Sequence, residues 1–168
     1  MVSDAPALRG EEFPAVIFPS LINAGCSALS PSMVVSGKKV REYGLKPLAK
    51  LSSFAWAAVD PTIMGLGPVP ASQKLLKNAG LSAEDIDIWE INEAFAVVVL
   101  NAIRELGLDE KRVNLKGGAI AIGHPLGASG ARLGGTVSRL LNTEKKEKAV
   151  ATLCVGGGQG YSALFERV

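Results

Sequence analysis

Aromatic side chains are scarce in this chain, at 5% of 168 residues, and there is a single histidine. So few rings argue against an interleaved aromatic and basic face for nucleic-acid bases. Charge of one sign is also lacking. The net charge is +2, with both signs spread along the chain, so neither nucleic acid nor a membrane surface is an expected partner. There are two cysteines, Cys26 and Cys154, far apart in sequence, which is no disulfide framework. No apolar run approaches the ~20 residues of a spanning helix. The N-terminus shows no basic segment followed by an apolar core, so no cleavable signal is expected. A cytoplasmic or organelle-matrix location with reduced thiols is the reading that follows.

What the chain has in quantity is small and apolar residues: 48% hydrophobic, with 19 glycines. That supports one globular unit with tightly packed helices and strands. Residues 1–19 carry Pro6, Pro14 and Pro19 and read as an irregular arm, leaving residues 20–168 as the domain. Met33-Val34-Val35 reads as a short buried strand, and Ser36 as the cap of a helix that Gly44 ends. A strand is expected over residues 47–59, a turn at Asp60-Pro61, and a helix from Pro68 to Ala79 stopped by Gly80. Ser82-Ala83-Glu84-Asp85 has the pattern of a helix start. Ile86, Ile88 and Ile91 lead into a strand. Phe95, Val98, Val99, Ala102, Ile103 and Leu106 follow helical spacing within residues 93–106. A helix over residues 131–141 and strands over 149–155 and 161–165 complete the pattern. Strands alternating with helices predict an α/β fold, a mixed sheet with helices on both faces.

The chain is organised around the stretch from Gly117 to Arg132, where five glycines surround the lone His124. Histidine is the side chain best suited to moving protons near neutral pH, and a glycine-rich turn lets a substrate approach it. A buried histidine filling a tight turn is the plainer alternative. The stretch fits neither a phosphate-binding loop nor a nucleophile elbow. Two further sites fall where strands should end: Asn92-Glu93-Ala94-Phe95, and Cys154-Val155-Gly156-Gly157-Gly158. Ligands collect at that edge of α/β sheets. Taken alone, Cys154 reads equally as a small buried apolar residue, and Asn92 as a helix cap. The glycines after Cys154 would leave backbone N–H groups free for an oxyanion.

These three motifs, in this order, resemble the thiolases, most closely their acetyl-CoA acetyltransferase branch, over residues 36–168. The resemblance implies a thiolase-like C-terminal domain and an acyltransferase acting on coenzyme A thioesters, with no other cofactor and no metal. By position, His124 corresponds to the histidine that activates a nucleophilic cysteine and then donates to the thioester oxygen. Asn92 corresponds to the asparagine that holds a water in that same oxyanion hole. Cys154 corresponds to the acid/base that handles the α-proton, and Gly156 to the N–H of the second oxyanion hole. Met64 and Phe95 correspond to apolar residues near the acyl-CoA, and Ser20 to a serine near its pantetheine.

The family's nucleophilic cysteine lies in an N-terminal half, within N-x-x-C-x-S-G. Cys26, in Asn23-Ala24-Gly25-Cys26-Ser27-Ala28, copies that motif only in part. The aspartate expected beside the pantetheine is Ala24 here. The implied partners are therefore acyl-CoA, a separate N-terminal thiolase subunit and further copies of the chain. The alternative is a non-catalytic acyl-CoA-binding or interaction module.

Overall fold

The computed structural model describes residues 14–17 and 32–168. Six strands form one sheet: β1 (Pro14–Ile17), β2 (Met33–Ser36), β3 (Ala49–Ala58), β4 (Ile88–Ile91), β5 (Lys148–Val155) and β6 (Gln159–Glu166). Their spatial order is β2-β1-β3-β6-β5-β4. Every neighbouring pair is antiparallel except β4 and β5, which run parallel. The sheet is mixed, as expected.

Helices cover both faces. On one lies α5 (Ser129–Thr143), whose Leu133, Val137, Leu140 and Leu141 pack on Ile88, Ala149 and Phe165. The other carries α2 (Pro68–Ala79) and α3 (Ala96–Leu106); there Leu75, Leu76 and Ala102 meet Trp89, Val150 and Leu164. The two stripes arise from the period-2 alternation of strands meeting the 3.6-residue period of helices. A ladder of buried hydroxyls also crosses the α2 side. Ser72 Oγ lies 2.9 Å from Ser162 Oγ, which lies 2.7 Å from Thr152 Oγ1. Each hydroxyl has a partner, so burying them carries little penalty.

Local signals account for most boundaries. Ser36 Oγ accepts from Lys39 N at the start of α1 (Gly37–Glu42). α2 has proline at its start and Gly80 in the left-handed conformation at its end, and Gly107 ends α3 in the same way. At two places glycine is required by close approach. A Cβ on Gly160 would lie 1.9 Å from the carbonyl oxygen of Gly67, and one on Gly158 would lie 2.2 Å from that of Val59. These contacts press the segment before α2 directly onto the β6 turn.

Four expectations need correction. Pro14–Ile17 is a strand, not part of an irregular arm; Pro14 stands at its first position, where a missing N–H is tolerated. The rest of residues 1–13, with Cys26 and Ser20, lies outside the described residues. β2 forms as expected but is not buried, with Met33 and Val34 about half exposed. Ser82 starts only a single 3₁₀ turn, Ala83–Asp85, closed by Ser82 N and Oγ both donating to Asp85 Oδ2. The helix expected from Glu93 begins at Ala96, because Glu93 is used elsewhere.

Candidate active site

β4 carries the pattern Ile88-Trp89-Glu90-Ile91 and all four side chains are buried. A carboxylate inside such a strand demands a partner. It comes from the first turns of α5: Arg132 Nη1 donates to Glu90 Oε1 at 3.2 Å. Glu90 has no exposed surface, and burial pushes its carboxyl up to about 7 against the pull of Arg132. Glu90 Oε2 and Arg132 Nε are buried without partners.

Asn92 follows at the end of β4, fully buried, with its N–H donating to Thr152 O of β5 at 2.9 Å. Its Oδ1 accepts from Arg132 Nη2 at 3.4 Å. Its Nδ2 lies 3.3 Å from His124 Nε2 and 3.5 Å from Nδ1. The imidazole has one shorter contact, Nδ1 to Ser129 Oγ at 2.6 Å, and Ser129 Oγ donates to Pro125 O at 3.2 Å. Sequence and fold thus string Glu90, Arg132, Asn92, His124 and Ser129 into one polar chain.

The His124 loop is held by Glu93. Glu93 Oε2 accepts from Ile120 N at 2.9 Å, in the first turn of α4 (Ala119–Ile122). Its Oε1 accepts from Asn114 Nδ2 at 3.0 Å. Asn114, at positive φ, in turn pairs with the backbone of Ile91 through both side-chain atoms. Gly123, at φ +92°, then turns the chain to present His124.

Cys154 sits near the end of β5, one strand over, opposite Gly160. It is a free, buried thiol, and burial raises its pKa above the ordinary value. Strand alternation gives it the face of Thr152, towards α2. Asn92 shares the face of Glu90, towards α5. Thiol and imidazole thus reach the same end of the sheet from its two sides, and among the described residues no hydrogen bond joins them. Gly156 is exposed in the turn just beyond Cys154. Met64 and Phe95 come together, lining one groove of about 380 Å³ with Ile63, Leu66, Val97 and Arg104. Phe95 is 65% exposed there, at the cap position of α3. A second groove, about 410 Å³ and almost wholly apolar, lies on the α5 face beside Leu153, Val155 and Tyr161.

Reading the motifs gave roles to Asn92, His124 and Cys154, but missed Glu90, Arg132, Ser129 and Glu93. The signal for Glu90 was a charged residue between apolar neighbours in a strand. Nothing local paired it with Arg132.

No helix among the described residues is long and apolar enough to cross a membrane. Residues 45–167 match the family model described as thiolase, C-terminal domain. The 3-ketoacyl-CoA thiolase of Salmonella typhimurium is 50% identical over 152 residues, covering 89% of this chain and 38% of that protein. The protein of the same name from Escherichia fergusonii is 49% identical over the same length. Among solved structures, human mitochondrial 3-ketoacyl-CoA thiolase in complex with CoA aligns with a TM-score of 0.79 at 42% identity. It covers 82% of this chain and 35% of that one. The Bacillus anthracis acetyl-CoA acetyltransferase aligns with the same TM-score at 43% identity, with the same coverage. The chain spans under two-fifths of the length of these relatives.

Proposed function

This chain belongs to the thiolase family, and from that premise we propose that it supplies the C-terminal half of an active site for acyl transfer between coenzyme A thioesters. The observation that carries the reading is the Asn92–His124 pair at a strand end, with Cys154 at the end of the neighbouring strand. The nucleophilic cysteine is that of the family's N-terminal half. His124 takes its proton, and the thiolate attacks the acyl carbon. The C–S bond to coenzyme A then breaks, and the coenzyme A thiolate leaves with the proton from His124. This is covalent catalysis with one base serving both directions.

For condensation, Cys154 as thiolate takes the α-proton of a second acetyl-CoA. The enolate oxygen rests against His124 and Asn92. The α-carbon attacks the acyl-enzyme, and the nucleophilic thiolate is released. Thiolysis runs these steps backwards, with the Cys154 thiol protonating the departing carbanion. A thiol whose burial keeps it protonated suits that last step. Relatives named 3-ketoacyl-CoA thiolase and acetyl-CoA acetyltransferase support both 3-ketoacyl-CoA in general and acetoacetyl-CoA as substrate.

The test is reconstitution. The chain is mixed with an N-terminal thiolase half bearing the nucleophilic cysteine, and coenzyme A-dependent loss of acetoacetyl-CoA is followed. Turnover that neither half gives alone, abolished by His124→Ala, is the expected result. A folded complex that binds coenzyme A with no turnover and no acyl-enzyme would overturn the reading in favour of a non-catalytic binding module.

A further inference from the structure

We propose that Ser129 is a positioning residue that fixes the orientation of the His124 ring and so decides which of its nitrogens is left open for chemistry. The proposal rests on the reading of His124 as the base and names the group that aims it.

His124 stands on a loop, with Gly123 at φ +92° before it and Leu126, 86% exposed, shortly after. The second side-chain torsion of histidine is broad and roughly two-fold, so a ring left to itself exchanges its two edges. Two groups lie close to it. Asn92 Nδ2 is 3.3 Å from Nε2 and 3.5 Å from Nδ1, which sets it over the ring and on neither lone pair. A group over the face meets much the same surface whichever edge is turned, so it does not choose between them. Ser129 Oγ is different. It lies 2.6 Å from Nδ1 alone, at one edge. A ring carbon has no hydrogen bond with which to draw an oxygen so near, so the edge at Ser129 must be the nitrogen edge.

The serine is itself held. It is fully buried, and its hydroxyl also reaches Pro125 O at 3.2 Å. The same carbonyl accepts from Ala128 N at 2.9 Å and from Ser129 N at 3.0 Å. The residue beside the histidine is thus tied at three points to the first turn of α5. A helix cap is forgone for this arrangement. Serine is among the best N-cap residues, worth about 1 kcal/mol over alanine. The N-cap of α5 is instead Ala128, with no side-chain cap hydrogen bond, and the serine stands one place later, against the imidazole. With Nδ1 occupied, Nε2 is the nitrogen left to exchange a proton with a thiol. Once the ring carries that proton, the bond from Nδ1–H to Ser129 is charge-assisted. Its loss is therefore felt in turnover more than in binding.

A chain with one histidine allows a direct test. In the full chain, labelled with ¹³C and ¹⁵N, nuclear Overhauser contacts are read from the β-protons of residue 129 to the two carbon-bound ring protons of His124. Nδ1 is bonded to Cε1, so the wild type should show a contact to Hε1 and none to Hδ2. Ser129→Ala removes the bond with almost no change of volume, and its methyl group should contact both protons as the ring takes both orientations. In the reconstituted enzyme the same variant should lower kcat about 10- to 100-fold with KM unchanged, the range for a hydrogen bond to a charged group. Wild-type contacts to both protons would overturn the proposal, and this arm stands even if the variant does not fold. So would a folded Ser129→Ala chain that keeps the single contact, or one with the kcat of wild type. The contacts are read without turnover, so a reconstitution that fails counts against the functional reading and not against the orientation of the ring.

Discussion

The Glu93 carboxylate fills the space that a side chain on Gly118 would need: a Cβ there would lie 2.4 Å from Glu93 Cδ. The strand end and the histidine loop are locked by this exchange of volume, the glycine giving room and the carboxylate giving hydrogen bonds to Ile120 N and Asn114 Nδ2. Because the obstacle is the tip of a flexible side chain, Gly118→Ala should displace Glu93 rather than unfold the protein. The expected cost is about 1–3 kcal/mol, the range for orphaning buried polar groups. Urea unfolding measures it, and the imidazole signals of His124 should shift in the same variant. Unchanged signals would mean that Glu93 does not hold the loop.

Gly160→Ala should be far worse. There the neighbour is the Gly67 carbonyl at the start of α2, at 1.9 Å from the new Cβ, and backbone pressed on backbone cannot step aside as a side chain can. A loss above about 4 kcal/mol is expected, seen as insoluble expression or a collapsed melting transition.

Stability should depend on pH through Glu90, with the sign opposite to that of most carboxylates. Burial raises its native pKa from 4.5 to about 7; the charge and hydrogen bond of Arg132 oppose the rise, and Glu93 adds to it. Between those values the native state holds a proton that the unfolded state has lost. The contribution of Glu90 to native stability therefore falls as pH rises from 4.5 through about 7, and is constant above that range. The whole effect is up to about 3 kcal/mol at 1.36 kcal/mol per pK unit. Urea titrations at about pH 5 and about pH 8 should show this drop in the wild type and not in Glu90→Gln. A wild type more stable at the higher pH, measured against that variant, would contradict it.

In reconstituted enzyme, Cys154→Ser should lower turnover by about 10²-fold or more, the usual share of a positioned acid/base. Acylation of the nucleophilic cysteine by acetyl-CoA should survive, since Cys154 acts after it. Mass spectrometry of the N-terminal half would show the accumulated acetyl adduct. Loss of acylation in this variant would move Cys154 to the first half-reaction.

Much of this was legible in local chemistry. Pro68 and Gly80 bracket α2, Gly107 ends α3, and the apolar continuity of Ala149 to Val155 marks a buried strand. What stayed hidden was set by distant partners. Glu93 has good helical surroundings, yet the helix starts at Ala96 because the carboxylate is committed to a loop far along the chain. Ala119–Ile122 makes a helical turn inside what reads as loop, since the Glu93 carboxylate accepts a hydrogen bond from Ile120 N in its first turn. Pro14–Ile17 becomes a strand only by pairing with β2 and β3 on either side. Asn92 resembles a helix cap until Arg132 arrives from α5 to turn its amide.

The position of β6 bears on biosynthesis. Gln159–Glu166 is the latest strand of the chain, yet it lies between β3 and β5 in the middle of the sheet. While a ribosome is still translating this region, β3 has no neighbour on that side and β5 lacks its antiparallel mate. Both would present bare edges to solvent. The nascent polypeptide therefore carries an unpaired β3 edge until Gln159–Glu166 emerges and slots between its two waiting neighbours.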